Sequence, residues 1–187
     1  MEELSLHILD IVENSIAAGA RHVEIRLYES RKEDRLSVEI LDDGVGMSEA
    51  ALRKATDPFF TTRSSRRVGL GLSLLEQAAR AAGGTFRIES RPGAGTRVTA
   101  LFQYSHLDRQ PLGDIASTLL TLVTGNPEVE FSYEHRTDDA QVSFGTEPIK
   151  ARLGGLPVNS PEGIAAVRRA LENITEPARS RFRDVLQ

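Results

Sequence analysis

The stretch Asp42–Asp43–Gly44–Val45–Gly46–Met47 places two carboxylates and two glycines at the end of a run in which Leu36, Val38 and Ile40 alternate with Ser37 and Glu39. That alternation is the pattern of a half-buried strand. A strand that stops at a fixed acid, with glycines that let the backbone bend close to something, is a ligand-binding edge. Asp-Gly is also ordinary tight-turn chemistry, so the stretch is read together with its neighbours. Asp10 and Asn14 share, with His7, one flank of a helix whose other face is apolar. Gly69–Leu70–Gly71–Leu72 runs straight into a strongly helical segment. A glycine-rich turn at that place offers free backbone N–H groups and the positive end of the helix dipole, which suits a phosphate. Arg63, Arg66 and Arg67 form a local basic cluster just before it, in a chain whose net charge is -4.

These groups need elements to carry them. Leu4, Ile8, Leu9, Ile11, Val12 and Ile16 give residues 3–18 a helical apolar face, ended by Gly19 as a C-cap. Val23, Ile25 and Leu27 mark a strand over 21–28, which pairs as a hairpin with the strand over 36–41. Ser48 caps a short helix reaching Thr56, and Asp57–Pro58 stops it because proline excludes the helical conformation from its predecessor. A helix over 73–82 closes at Gly83–Gly84. Residues 85–90 and 96–103 alternate as two further strands about the turn Arg91–Pro92–Gly93–Ala94–Gly95. Beyond Gln103 the pattern predicts a helix over 112–123, strands over 128–134 and 141–144, an N-capped helix over 160–174 and a final helix after it.

Composition narrows the function classes. Forty per cent hydrophobic and 27% charged residues, interspersed, describe a soluble globular chain. No apolar run approaches the roughly 20 residues of a membrane helix, and the acidic start is no signal peptide, so a cytoplasmic protein without membrane contact is expected. With no cysteine, disulfides, thiolate metal sites and a cysteine nucleophile are excluded. The acidic balance argues against a nucleic-acid partner, which would need a basic surface.

Taken in order, the helix with Asp10 and Asn14, the Asp42–Gly44–Gly46 strand end, Pro58–Phe59–Phe60–Thr61–Thr62 and Gly69–Leu70–Gly71–Leu72 resemble the GHKL superfamily of ATPases over about residues 3–104. That superfamily includes gyrase, chaperone and mismatch-repair ATPases and the catalytic domains of histidine kinases. Pro58–Thr62, Gly69–Ser73 and Gly83–Gly84 with Gly95–Thr96 look like histidine kinases, whereas Glu13–Ala20 looks more like the mismatch-repair ATPases. The resemblance implies an α/β fold, a two-layer sandwich with helices over one face of a mixed sheet, and ATP with Mg²⁺ between the helical layer and a lid.

The same resemblance implies roles. Asp42 accepts the hydrogen bond of the adenine amino group and Thr96 backs that contact, while Gly44, Gly46 and Met47 lie beside the base. Asn14 places its amide oxygen on Mg²⁺, a cation that prefers hard oxygen ligands. Phe60, Thr61, Thr62 and Arg63 are among the nucleotide-binding residues, Gly69, Leu70, Gly71 and Leu72 hold the phosphates at the helix start, and Arg63, Arg66 or Arg67 in the lid neutralises their charge. Three departures stand out. Hydrolysing members carry glutamate as the base where this chain has Asp10, one methylene shorter, which implies slow hydrolysis or none. Arg67 replaces the first glycine of the glycine box, and Ala17 stands where relatives often carry a lysine or an acid.

The expected organisation is an ATP-binding domain over 1–104 and a C-terminal α/β extension over 105–187 of unknown role. His106–Leu107–Asp108–Arg109–Gln110–Pro111–Leu112 is similar to the phosphoacceptor box of histidine kinases, opening a helix, which makes His106 a candidate acceptor. The box lies after the ATPase part instead of before it, and Leu107 replaces the usual acid. The leading functional expectation is an ATP-dependent signalling kinase or regulator acting on a partner protein, like the anti-sigma-factor kinases. The alternatives are a slow ATPase working as a nucleotide-gated switch, or a binding module without catalysis. A homodimer is compatible with each.

Overall fold

The computed structural model describes residues 3–57 and 70–184, with side chains through Glu172 and at Ile174. A helix over Leu4–Ala17 (α1) leads to strands His22–Ser30 (β1) and Arg35–Asp42 (β2), and a single turn of helix, Glu49–Leu52 (α2), follows. Then come Leu70–Ala81 (α3), Thr85–Ser90 (β3), Thr96–Gln103 (β4), Ile115–Gly125 (α4), Glu130–Thr137 (β5), Gln141–Gly145 (β6), Glu147–Arg152 (α5) and Pro161–Asp184 (α6).

All six strands form one mixed sheet in the order β3-β4-β2-β1-β5-β6. β1 is antiparallel to β2 and parallel to β5, so α4 makes a crossover that carries the chain from β4 past two strands to the parallel β5. Residues beyond 104 thus extend the sheet that residues 22–103 build. The alternation fixes which side is covered. Val23, Ile25 and Leu27 on β1, Leu36, Val38 and Ile40 on β2, Val98, Ala100 and Phe102 on β4, and Phe131 and Tyr133 on β5 are buried. Their neighbours on the opposite face are polar and tied in cross-strand ion pairs, with Arg26 bonded to Glu39 at 3.2 Å. A polar face needs no second layer of helices.

The helices lie on the buried face in the order α3, α1, α4, α6, following the strands beneath them. α1 is central because Leu4, Ile8, Ile11 and Val12 are each at most 2% exposed. Burying each such side chain contributes about 1.5–3 kcal/mol relative to exposure. Its first turn is capped from a distance, by Leu4 N donating to Pro111 O and Ser5 N to Leu112 O, each at 2.9 Å. These satisfy donors that a helix start leaves unpaired.

Several boundaries differ from the sequence pattern for identifiable reasons. α2 is shorter than the expected 48–56, although Ser48 does cap it, accepting from Ala51 N at 3.2 Å. α3 already begins at Leu70, so Gly71 lies within the helix and not in a turn before it. α4 starts at Ile115, not 112, because Gly113 has φ +78° and Asp114 caps the helix by accepting from Ser117 N at 2.9 Å. The residues from His106 to Gly113 are therefore not helical, contrary to the expectation that this box opens a helix. The two last helices are one, α6, and the short α5 was not anticipated.

Candidate nucleotide site

Asp42 closes β2 on the helix-covered face, since its register partner on β1 is the buried Val23 and its partner on β4 is Thr96. Thr96 in turn pairs with Ser90 on β3. Ser90, Thr96 and Asp42 therefore stand in a row across three strands at one end of the sheet. Ser90 Oγ donates to Gly95 O at 2.8 Å, accepts from Met47 N at 2.8 Å and lies 3.0 Å from Thr96 Oγ1. This hydroxyl joins the loop after Asp42 to the β3–β4 hairpin.

Both oxygens of Asp42 are engaged. Gly44 N donates to Oδ1 at 2.9 Å and Ser15 Oγ donates to Oδ2 at 2.7 Å. Its neighbour Asp43 does different work. The Oδ1 atom of Asp43 accepts from Arg21 N at 2.7 Å and His22 N at 2.9 Å, tying the start of β1 to the end of β2. Desolvation pushes the Asp43 carboxyl up, and the His22 and Arg21 amides outweigh it and hold its pKa below the ordinary 3.8.

The glycines of this loop are required by the chain itself. A Cβ on Gly44 would stand 2.9 Å from Ala18 O, and one on Gly46, which has φ +68°, would stand 2.0 Å from Arg91 O. The loop is pinned on both sides, by Val45 N donating to Ala18 O at 3.0 Å and Gly93 N to Val45 O at 2.8 Å.

Asp10 and Asn14 lie half-buried on the flank of α1 that faces α3. A Cβ built on Gly71 would meet Asp10 Cβ at 3.2 Å and Asn14 Nδ2 at 3.5 Å. The glycine lets the first turn of α3 approach this pair, with half-exposed Leu72 beside it and Leu70 exposed. Among the described residues the Asn14 carbonyl accepts from Ala18 N at 2.9 Å, while no hydrogen bond engages the side chain of Asp10 or of Asn14. A carboxylate and an amide oxygen beside a helix start are a donor set that fits a hydrated Mg²⁺ carried on phosphates. Phe60, Thr61, Thr62, Arg63 and Gly69 lie outside the described residues.

Residues 2–106 match the sequence profile of the histidine kinase-, DNA gyrase B- and HSP90-like ATPases. The chain belongs to that family. Within it, this histidine kinase-like ATPase chain is similar to sensor kinases. It is 36% identical over 94 residues to the sensor protein kinase FleS of Pseudomonas aeruginosa, a match covering 50% of this chain and 23% of FleS. To the tetrathionate sensor histidine kinase TtrS of Salmonella typhimurium it is 34% identical over 115 residues, 59% of this chain and 19% of TtrS. The chain thus spans less than a quarter of the length of these relatives. A crystal structure of the N-terminal domain of a DNA repair protein superposes with a TM-score of 0.53 at 15% identity. That superposition covers 91% of this chain and 57% of the other, so the likeness of fold continues past residue 106. Among the described residues no helix is long and apolar enough to cross a membrane.

The candidate site adjoins residues to which the motifs gave no role. Ser15 follows Asn14 directly, so its position on α1 was visible, but its bond to Asp42 crosses 27 residues of sequence. Ser90 ends an alternating strand opposite Thr96 and carries no motif of its own. His7, one helical turn before Asp10, is 1% exposed and donates from Nε2 to Gln110 Oε1 at 2.9 Å. Its Nδ1 has no partner among the described residues. His106 stands elsewhere. Its ring is 3.4 Å from where a Cβ on Gly83 would be, past the far end of α3. Ten residue steps from Gly71 to Ala81 at the helical rise place that end about 15 Å from Gly71.

Proposed function

We propose that this family member binds ATP with Mg²⁺ and transfers the γ-phosphoryl group to a separate partner protein. The observation that carries the reading is convergence. α1 brings Asp10 and Asn14 against Gly71 of α3 and, one residue further on, Ser15 against Asp42. A base reader and a phosphate-side pair are thus mounted on one helix. In this reading Asp42 accepts from the adenine amino group, Thr96 lies beside the base, and the Asn14 amide oxygen holds Mg²⁺, which neutralises phosphate charge. The bond from the γ-phosphorus to its bridging oxygen breaks, one to the acceptor forms, ADP leaves, and Asp10 takes the acceptor's or a water's proton.

The separation of His106 from Gly71 favours an acceptor on another molecule over His106 of the same chain. Incubation with γ-labelled ATP and Mg²⁺, alone and with cell extract, tests this. Label on a partner, lost in Asp10→Asn, is the expected result; acid-labile label on this chain that disappears in His106→Ala overturns it.

A second reading is supported by the connection from site to extension. The Pro111 and Leu112 carbonyls cap the same α1 that carries Asp10 and Asn14. A nucleotide that shifts α1 would then be felt by residues 105–187, as in a nucleotide-gated switch. Free phosphate as the main labelled product, with no labelled protein, would select this reading.

A further inference from the structure

We infer that Ser15 is a positioning residue that fixes Asp42 as the reader of a purine amino group, and that it sets the preference of the site for adenine. The inference rests on the ATP-binding reading above and adds to it the residue that makes the base recognition selective. An aspartate at a strand end has a broad χ2 torsion, so one hydrogen bond leaves its carboxylate plane free to turn. Gly44 N alone, donating to Oδ1 from two residues along, would be such a single tether. Ser15 supplies the second from another element. Ser15 is 4% exposed, and its hydroxyl has two acceptors within reach, Asp42 Oδ2 at 2.7 Å and Ile11 O at 3.3 Å. A hydroxyl has one proton, and the shorter, charge-assisted contact claims it.

With one donor on each oxygen, the carboxylate plane is locked and each oxygen keeps an acceptor position for a ligand. A fixed acceptor welcomes the 6-amino group of adenine and meets the 6-oxo group of guanine or hypoxanthine with lone pair against lone pair. Freed to turn, the same carboxylate would lose that distinction. Because Ser15 is adjacent to Asn14 on α1, the base reader and the phosphate side are held by consecutive residues of one helical turn.

The test is titration of the full chain, with Mg²⁺ present, against ATP, GTP and purine riboside triphosphate, the last being the adenine nucleotide without its amino group. Ser15→Ala should weaken ATP about tenfold, the loss expected for a hydrogen bond to a charged group. It should leave purine riboside triphosphate within about twofold, so that the ratio between the two collapses. Ser15→Thr, which keeps the hydroxyl, should preserve the ratio. Equal weakening of both nucleotides in Ser15→Ala, an unaltered ratio, or a Thr variant that behaves as Ala would each overturn the inference while leaving ATP binding intact. Failure of the unaltered chain to bind any of the three would overturn the ATP-binding reading itself. Should Ser15→Ala melt early, Ser15→Cys, of similar size and a weak donor, repeats the comparison in a fully packed helix.

Discussion

At the residue scale, the two adjacent carboxylates separate cleanly. Asp43 spends its oxygen on backbone amides at the start of β1, whereas Asp42 turns to the helical layer and joins Thr96 and Ser90. Sequence favoured Asp42 through a family resemblance; what the pattern could not contain was the register, which sets Asp42 opposite the buried Val23 and so on the helix-covered face. Asp42→Asn is expected to lower ATP affinity about ten- to a hundredfold, the range for losing a hydrogen bond to a charged acceptor, with the melting temperature little changed. Calorimetric titration checks it, and unaltered affinity would remove Asp42 from the site. His7 yields a second prediction. Burial is the largest influence on its ring and pushes its pKa below the ordinary 6.5, with the Gln110 hydrogen bond and the nearby Asp10 pulling the other way. The unfolded chain therefore takes up a proton at this residue as pH falls through 6.5 while the folded chain does not, so folding stability contributed here drops below that pH. Urea midpoints followed from about pH 7.5 to about pH 5.5 should fall more steeply for the unaltered chain than for His7→Gln, which cannot titrate.

At the element scale, the β3–β4 hairpin shows how a turn is made to serve a site. Gly93 and Gly95 share φ +74°, a region that disfavours side chains, yet they differ in surroundings. A Cβ on Gly93 meets nothing within 4 Å, while one on Gly95 would stand 1.8 Å from Asp42 O. Gly93→Ala should therefore cost only the conformational term, about 1 kcal/mol, and leave nucleotide affinity alone. Gly95→Ala should cost clearly more and weaken ATP as well, because the hairpin can relieve the clash only by moving away from Asp42. Denaturation and titration of the pair distinguish these. The sequence announced this turn, and it announced most strands, because period-two alternation survives wherever one face is buried. It did less well where tertiary contacts set a boundary. Gly71 is helical although its neighbours read as a turn, and the need for glycine there comes from Asp10, whose Cβ a Cβ at 71 would meet at 3.2 Å. Likewise the start of α4 yields to the strap through Pro111 and Leu112, whose carbonyls are taken by α1 and not by a helix of their own.

At the scale of the whole molecule, the question is whether residues 1–104, nearly all of the stretch 2–106 that matches the ATPase family, stand alone. Removing residues 105–187 would turn β1 from an interior strand into an edge, since β5 pairs with it along His22–Glu29. It would also uncover the side of α1 that packs on α4, whose Leu119, Leu122 and Val123 are each at most 2% exposed, and it would strip Leu4 N and Ser5 N of their acceptors. A large apolar side chain truncated in a core costs about 2–5 kcal/mol, and domains are stable by only about 5–15 kcal/mol in total, so losing a packed layer exceeds the margin. The fragment 1–104 is accordingly expected to lack a cooperative thermal transition and to expose apolar surface to dye. A point change keeps the test independent of fragment solubility. In the full chain, Leu119→Ala in α4 should destabilise by about 2–5 kcal/mol. In one cooperative unit, amide exchange of β2 and β4, which do not pair with β5, should accelerate with that of β5. Exchange confined to β5 and β6, together with a cooperative fragment 1–104, would make the C-terminal part a separate domain, and the route from α1 to a partner-reading extension would then need a different physical carrier.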